Sequence, residues 1–281
     1  MNYRVTPTYY NRLQYVLANF TKGRRLLNVG CGSGDYNYYL RQQVEESFGV
    51  DMSVDDVRMA QRLHAGIANV HFSVGDVHNL SFADGFFDRI ICMDTLEHVA
   101  DPVRTVAELF RVLEPGGQLI FSVPAQEFPF TYDPLNMARL AFGKKPWPIG
   151  AYGFGHEELF SRNEFVALVG AKFQVREVRF ISFGLVGLIE NYAPSLVARW
   201  LKTNKNNTGV GVCSPVGVEE KLGFDYRVPR WLAAVDRAIV GIDERWFYSE
   251  TRGVNFVVKA EKTMPAIESV PLKSPRDRIA G

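Results

Sequence analysis

The chain has 281 residues, 47% of them hydrophobic, and a formal net charge of +1. That length suits one large α/β domain with insertions better than two equal domains, and it supplies a sizeable core. Near-neutral charge, with basic clusters as short as Lys22, Arg24 and Arg25, argues against nucleic acid as a partner. Cys31, Cys92 and Cys213 stand far apart without C-x-x-C or metal-ligand spacing, which fits a reducing compartment, no disulfide framework and no metal site. Met1 to Tyr10 is polar and aromatic, unlike a secretory signal, so a cytoplasmic location is expected.

In chain order, Leu26, Leu27 and Val29 form the apolar run of a buried parallel strand, and Gly30, Cys31, Gly32, Ser33 and Gly34 bend the backbone before a helix. Glycines there let a ligand approach bare backbone. Phe48 to Val50 ends in Asp51, about 20 residues on, the offset at which a strand-end carboxylate grips ribose hydroxyls. Dinucleotide folds use G-x-G-x-x-G, whereas this loop is G-x-G-x-G with Asp35 where the next glycine would be. A negative charge beside a pyrophosphate is unfavourable, so a phosphate-free nucleoside fits better than a nicotinamide dinucleotide.

Further strand runs follow at Val70 to Val74, leading to Gly75, Asp76 and Val77, at Phe87 to Met93, leading to Asp94, and at Gln118 to Val123, ending in Pro124. Phe173 to Ile181 and Gly253 to Ala260 are β-rich and predict an antiparallel pair that completes a seven-stranded, doubly wound, Rossmann-like sheet. Ligands of open α/β sheets bind at the carboxyl edge, so Asp51, Asp76 and Asp94 are expected to converge there. Residues 1–262 read as one domain, with a cofactor-binding core at 25–124, an acceptor lid at 125–160, a helical insertion at 182–252, and a flexible tail at 263–281.

The loop NVGCGSG, VDMS at Asp51, GDVHNLSFADGFFD from Gly75 and DTLEHVADPVRTVAELFRVLEPGG from Asp94 together resemble the class I S-adenosylmethionine-dependent methyltransferases, especially the branch with the type 11 methyltransferase domain. The resemblance covers Arg25 to Val123. It implies S-adenosylmethionine as cofactor and S-adenosylhomocysteine as product. It implies that Asp51 binds ribose, Met52 packs on adenine, Asp76 beside Val77 reads the adenine amine, and main chain near Gly30 and at Met93 to Thr95 holds the methionine part. The family often has Asp or Glu at Asn28, and Asn keeps hydrogen bonds there but loses the charge that would face the methionine amino group.

Each residue also has a purely structural reading. Asp51 and Asp94 are common residue types for helix N-caps, Asp76 for a solvated turn, Met52 and Met93 for core filling, and Cys31 for filling its place in the loop. His98, four residues after Asp94, would share a helical face with it.

On the acceptor side, Phe128, Phe130, Tyr132, Trp147, Tyr152, Phe154 and His156 lie in an aromatic and proline-rich segment suited to a lid. His156 is the candidate general base, beside His98, and Tyr132 and Tyr152 are candidates for orienting the acceptor. From Trp231, the residues Leu232, Val235, Ile239, Ile242 and Trp246 recur at helical spacing, with Arg230, Asp236, Arg237, Asp243 and Glu244 on other faces. That stripe is expected to pack on the sheet or on a second subunit, with membrane-surface contact as the alternative. Phe180 to Ile189 is too short to span a bilayer.

The sequence therefore points to methyl transfer to an O, N or C nucleophile of a small, hydrophobic or lipid-linked acceptor. A sugar or glycan precursor is the competing acceptor, and a non-catalytic methyltransferase-like scaffold the competing role.

Overall fold

A computed structural model describes residues 7–126, 134–145, 159–189 and 230–263. Seven strands, β1 (Gly23–Val29), β2 (Val44–Asp51), β3 (Val70–Val74), β4 (Phe87–Met93), β5 (Leu113–Pro124), β6 (Gln174–Ile181) and β7 (Asn255–Glu261), form one sheet in the order β3-β2-β1-β4-β5-β7-β6. The first five are parallel, and β7 enters antiparallel between β5 and β6. β3 and β4 have the bounds expected from their apolar runs. β2 begins earlier, at Val44, because the polar Glu45 and Glu46 stay exposed while the strand pairs with β1.

Adjacent residues on each strand face opposite layers, as the two-residue strand period requires. On one face Leu27, Ile90, Phe121, Phe256 and Val258 pack with Leu109 of α4 (Pro102–Val112) and Phe165 of α6 (Arg162–Gly170). On the other, Leu26, Ile91, Ile120 and Val257 meet Leu13 and Val16 of α1 (Pro7–Asn19) and Tyr36 and Leu40 of α2 (Asp35–Leu40). α3 (Val54–Leu63) connects β2 to β3, and α5 (Pro134–Ala141) follows β5.

The GDVHNLSFADGFFD motif is largely architectural. Glu108 accepts the Leu80 N–H at 2.7 Å, and Arg111 donates to Leu80 O, Phe82 O, Glu108 and Asp84, clamping the loop against α4. Its last residue, Asp88, accepts the Arg24 and Arg25 N–H groups at 2.8 and 2.7 Å and fastens β4 to the start of β1.

The helix expected after Trp231 is present as α7 (Arg230–Phe247), but of the described part of the expected apolar stripe only Ile239 is half-buried, and Val240 beside it is buried. Val235, Ile242 and Trp246 are exposed, while Asp236 and Asp243 are 3% and 1% exposed. The cause is local. The Asp243 carboxylate accepts the N–H groups of Phe183, Leu185 and Val186, which open the helical stretch at 184–189. A carboxylate on a helix N-terminus satisfies donors that have no partner within the helix, and this fixes the inward face of α7. No helix among the described residues is long and apolar enough to cross a membrane. Of the expected lid, Phe128, Phe130, Tyr132, Trp147, Tyr152, Phe154 and His156 lie outside the described residues, as do Trp231 and Leu232 as side chains.

Candidate cofactor site

The site is built where β1, β2 and β4 end side by side. Gly30, Gly32 and Gly34 have φ values of 66°, 51° and 83°, in the left-handed region that favours glycine. Gly30 and Cys31 donate their N–H groups to Val50 O at 2.9 and 3.1 Å, which ties the loop to the end of β2. A Cβ on Gly30 would stand 2.2 Å from Thr95 Oγ1, whereas one on Gly32 would meet nothing within 4 Å. The loop is thus packed beneath Gly30 and open at Gly32. Thr95 holds this floor by donating to Val29 O at 3.1 Å and lying 3.2 Å from Met93 O.

Asp51 ends β2 and does not cap the following helix. Ser53 is the N-cap of α3, its hydroxyl accepting the Asp56 N–H at 3.2 Å. The Asp51 carboxylate instead accepts the Gly32 N–H at 2.8 Å on one oxygen and the Ser53 N–H at 2.9 Å on the other. Burial raises its pKa, and the backbone donors oppose that. Next to it Met52 is 80% exposed, which rules out the core-filling reading. Asp76 follows β3 and accepts both the His78 N–H, at 2.9 Å, and a contact with His78 Nδ1 at 2.7 Å; these hydrogen bonds lower its pKa. Val77 packs partly buried against the core beside it.

Asn28 and Cys31 point inward. Asn28 donates to Asn37 at 2.7 Å, and Asn37 donates to Ser47 at 2.9 Å, a buried amide chain linking β1, α2 and β2. The buried Cys31 thiol has its pKa raised, first by desolvation and then by Asp51. Met93 is buried at the end of β4.

Asp94 has φ 49°, which an aspartate tolerates better than most residues. Its conformation is over-determined: its N–H donates to Ser122 O at 2.8 Å, its carboxylate accepts the Ser122 hydroxyl at 2.8 Å, and Arg12 of α1 forms an ion pair with it. It is therefore not a cap. The turn that follows, Leu96–His98, is a single 3-10 turn that starts after Thr95 without a side-chain cap, so the expected helical face shared by Asp94 and His98 does not form. His98 is exposed at this edge.

Three residues here escaped the sequence reading. Arg12 reaches Asp94 from α1 and also acts on the buried Tyr36 hydroxyl, whose pKa burial raises to about 12. Glu97, within the DTLEH motif, is 1% exposed, and neither carboxylate oxygen has a hydrogen-bond partner among the described residues. Burial raises its pKa to about 8, against the opposing charge of Arg12.

The family model for this methyltransferase domain matches residues 27–121, the stretch that carries the glycine loop, Asp51, Asp76 and Asp94. Over those residues the chain is similar to the methyltransferase domain family. The ubiquinone biosynthesis O-methyltransferase of Coxiella burnetii is 36% identical over 120 residues, 42% of this chain and 51% of the relative. That of Alkalilimnicola ehrlichii is 37% identical over 116 residues, 40% of this chain and 47% of the relative. The chain thus spans about half the length of these curated relatives. Among solved structures, the [4+2]-cyclase SpnF superposes with a TM-score of 0.55 at 20% identity, covering 90% of this chain and 81% of that one. A putative methyltransferase of Bacillus halodurans gives 0.53 at 19% identity, covering 90% and 98%. At those identities the likeness is one of fold, and the matched stretch is the part that holds the glycine loop, Asp51, Asp76 and Asp94.

Proposed function

We propose that this protein transfers the methyl group of S-adenosylmethionine to an oxygen nucleophile of a small hydrophobic or lipid-linked acceptor. The observation that carries the cofactor half is the strand-edge constellation: an open Gly32 with φ 51°, the Asp51 carboxylate bonded to its N–H, and an exposed Met52 beside it. The donor set fits the group. Asp51 keeps acceptor capacity for ribose hydroxyls beyond its two backbone donors, Met52 offers an apolar face for adenine, Asp76 is oriented by His78, and main chain at 30–34 and 93–95 lines the methionine end. Bound there, S-adenosylmethionine supplies an electrophilic sulfonium methyl.

This chain's own residues would align rather than activate. An in-line displacement needs the nucleophile placed within near-attack distance and water excluded. The Arg12 and Asp94 pair fixes charge at the methionine end, and Glu97 holds a proton on its carboxyl at neutral pH. His98, exposed at the edge, would be the group to take an acceptor proton, with His156 the second candidate. The similarity to ubiquinone biosynthesis O-methyltransferases supports an oxygen nucleophile. A sugar precursor is the rival acceptor.

Isothermal titration with S-adenosylhomocysteine tests the cofactor half without an acceptor. Stoichiometric binding in the micromolar range is expected, about −8 kcal/mol. No heat together with no thermal stabilisation would overturn it in favour of a scaffold. Turnover with a nucleotide sugar but none with a prenylated phenol would overturn the acceptor half.

A further inference from the structure

We infer that His64 is a positioning residue for the cofactor: from beneath the glycine loop its imidazole N–H fixes the Ser33 carbonyl and so sets the loop conformation that receives the homocysteine half of the ligand. The inference rests on the cofactor reading above. His64 stands at the C-cap of α3, is 3% exposed, and lies apart from the strand-edge constellation of Asp51, Met52 and Asp76. Its Nε2 is 3.1 Å from Ser33 O. A carbonyl oxygen only accepts, so Nε2 carries the hydrogen and donates it. The ring is packed under the loop by aromatic neighbours, with Phe72 of β3 at 4.9 Å and Tyr38 of α2 at 6.0 Å between centroids. A Cβ on Gly34 would come within 2.8 Å of His64 Nε2 and closer still to the Phe72 ring. Gln61 donates to Phe72 O at 3.0 Å and holds this part of α3 against β3.

Packing alone does not call for histidine at this position. An apolar side chain would fill the space against Phe72 and Tyr38; the imidazole adds one N–H aimed at a loop carbonyl. That donor matters because the loop is permissive. Gly32 and Gly34 flank Ser33 with φ values of 51° and 83°, and glycine populates both signs of φ, so the Ser33–Gly34 peptide can turn over at little steric cost. With Ser33 O held by His64, the Gly34 N–H closes the turn on Cys31 O at 2.9 Å and the Gly32 N–H meets Asp51 at 2.8 Å. Turning that peptide over would break the bond to Cys31 and swing a carbonyl oxygen away from His64. One hydrogen bond to a partly buried carbonyl is of the size that decides between two such conformers. His64 thus acts on the ligand only through the loop.

The test reads S-adenosylhomocysteine affinity by isothermal titration of the full chain, with urea unfolding alongside to show that each variant is folded. His64→Leu keeps the apolar fill and removes the donor, and it should weaken binding about tenfold, the weight of one hydrogen bond. His64→Gln places an amide N–H where the ring Nε2 stands and should restore affinity to within about twofold of native. A purely structural role would lower stability in these variants and leave affinity unchanged. The imidazole nitrogen NMR spectrum of the native chain, assigned by the signal that His64→Gln removes, should show hydrogen on Nε2 and should shift on saturation with S-adenosylhomocysteine. Hydrogen on Nδ1 alone, or a signal indifferent to the ligand, overturns the inference. Unchanged affinity in folded His64→Leu, or equal losses in the Leu and Gln variants, overturns it as well and leaves the cofactor reading standing. A native chain that does not bind S-adenosylhomocysteine overturns both.

Discussion

Glu97 makes the stability of this fold depend on pH in a direction opposite to that of an ordinary surface carboxylate. Its side chain is 1% exposed, neither oxygen has a hydrogen-bond partner among the described residues, and burial lifts its pKa from 4.5 to about 8. Between those values the folded chain keeps a proton that the unfolded chain releases, so folding stability falls as pH rises across that window. One proton of difference gives about 1.4 kcal/mol per pH unit, hence about 2.7 kcal/mol between pH 5 and pH 7. The perturbation is Glu97→Gln, which keeps the shape and removes the titration. Urea unfolding of both proteins without cofactor across pH 5 to 8 reads it. Below pH 5 the two should be nearly equal, and at pH 7 the variant should be more stable by about 2–3 kcal/mol, roughly 5–10 °C in Tm for a domain of this size. Asp51 and Asp243 also have raised pKa values, but they are common to both proteins and drop out of the difference. Parallel stability curves for the two proteins would refute the buried, proton-holding carboxyl.

The cofactor assignments are open to simpler tests. Asp51→Ala should weaken S-adenosylhomocysteine binding at least about tenfold by deleting a charge-assisted ribose contact, and an unchanged Kd on folded variant would remove that role. Gly30→Ala and Gly32→Ala should part company: the first drives a Cβ to within 2.2 Å of Thr95 and should lower stability by several kcal/mol, roughly 2–4. The second costs only the left-handed conformation, about 1 kcal/mol, and should instead lower cofactor affinity, because it fills the open side of the loop. Equal effects on stability and affinity in both would show that the loop does not face the ligand. Asp243→Ala strips three backbone N–H groups of their acceptor and should destabilise by roughly 2–4 kcal/mol in chemical denaturation, while Asp243→Asn recovers part of that loss.

The strands were legible because each apolar run stops at a residue that the carboxyl edge needs: Asp51, Gly75 with Asp76, Asp94 and Pro124 all sit where parallel strands end. Parallel strands buried on both faces require unbroken apolar runs, and that makes them readable without any partner being known. What local pattern could not supply was the inner end of β2, where Glu45 and Glu46 mask a strand that the ladder to β1 enforces. The roles split by the same rule. Ser53, not Asp51, caps α3, because a hydroxyl three residues before the Asp56 N–H is in reach and the strand-end carboxylate is already held by Gly32.

The site's charges, by contrast, are set by contacts between distant segments. Asp94 and Glu97 lie within one five-residue motif and carry the same functional group, yet Asp94 is ion-paired with Arg12 and hydrogen-bonded to Ser122 while Glu97 has no hydrogen-bond partner among the described residues. One guanidinium from α1 neutralises the nearer acid, and desolvation neutralises the other by protonation. Nothing in Asp94-Thr95-Leu96-Glu97-His98 distinguishes the two without α1 in place. α7 follows the same logic at larger scale. Its period is plain in the sequence, but the face at Asp243 is held inward by the three N–H groups at 183–186 that its carboxylate accepts. Periodicity fixes that a helix has two faces; which one turns inward depends on the donors nearby, and here they bring Asp243 in beside Val240 while Val235, Ile242 and Trp246 stay outside.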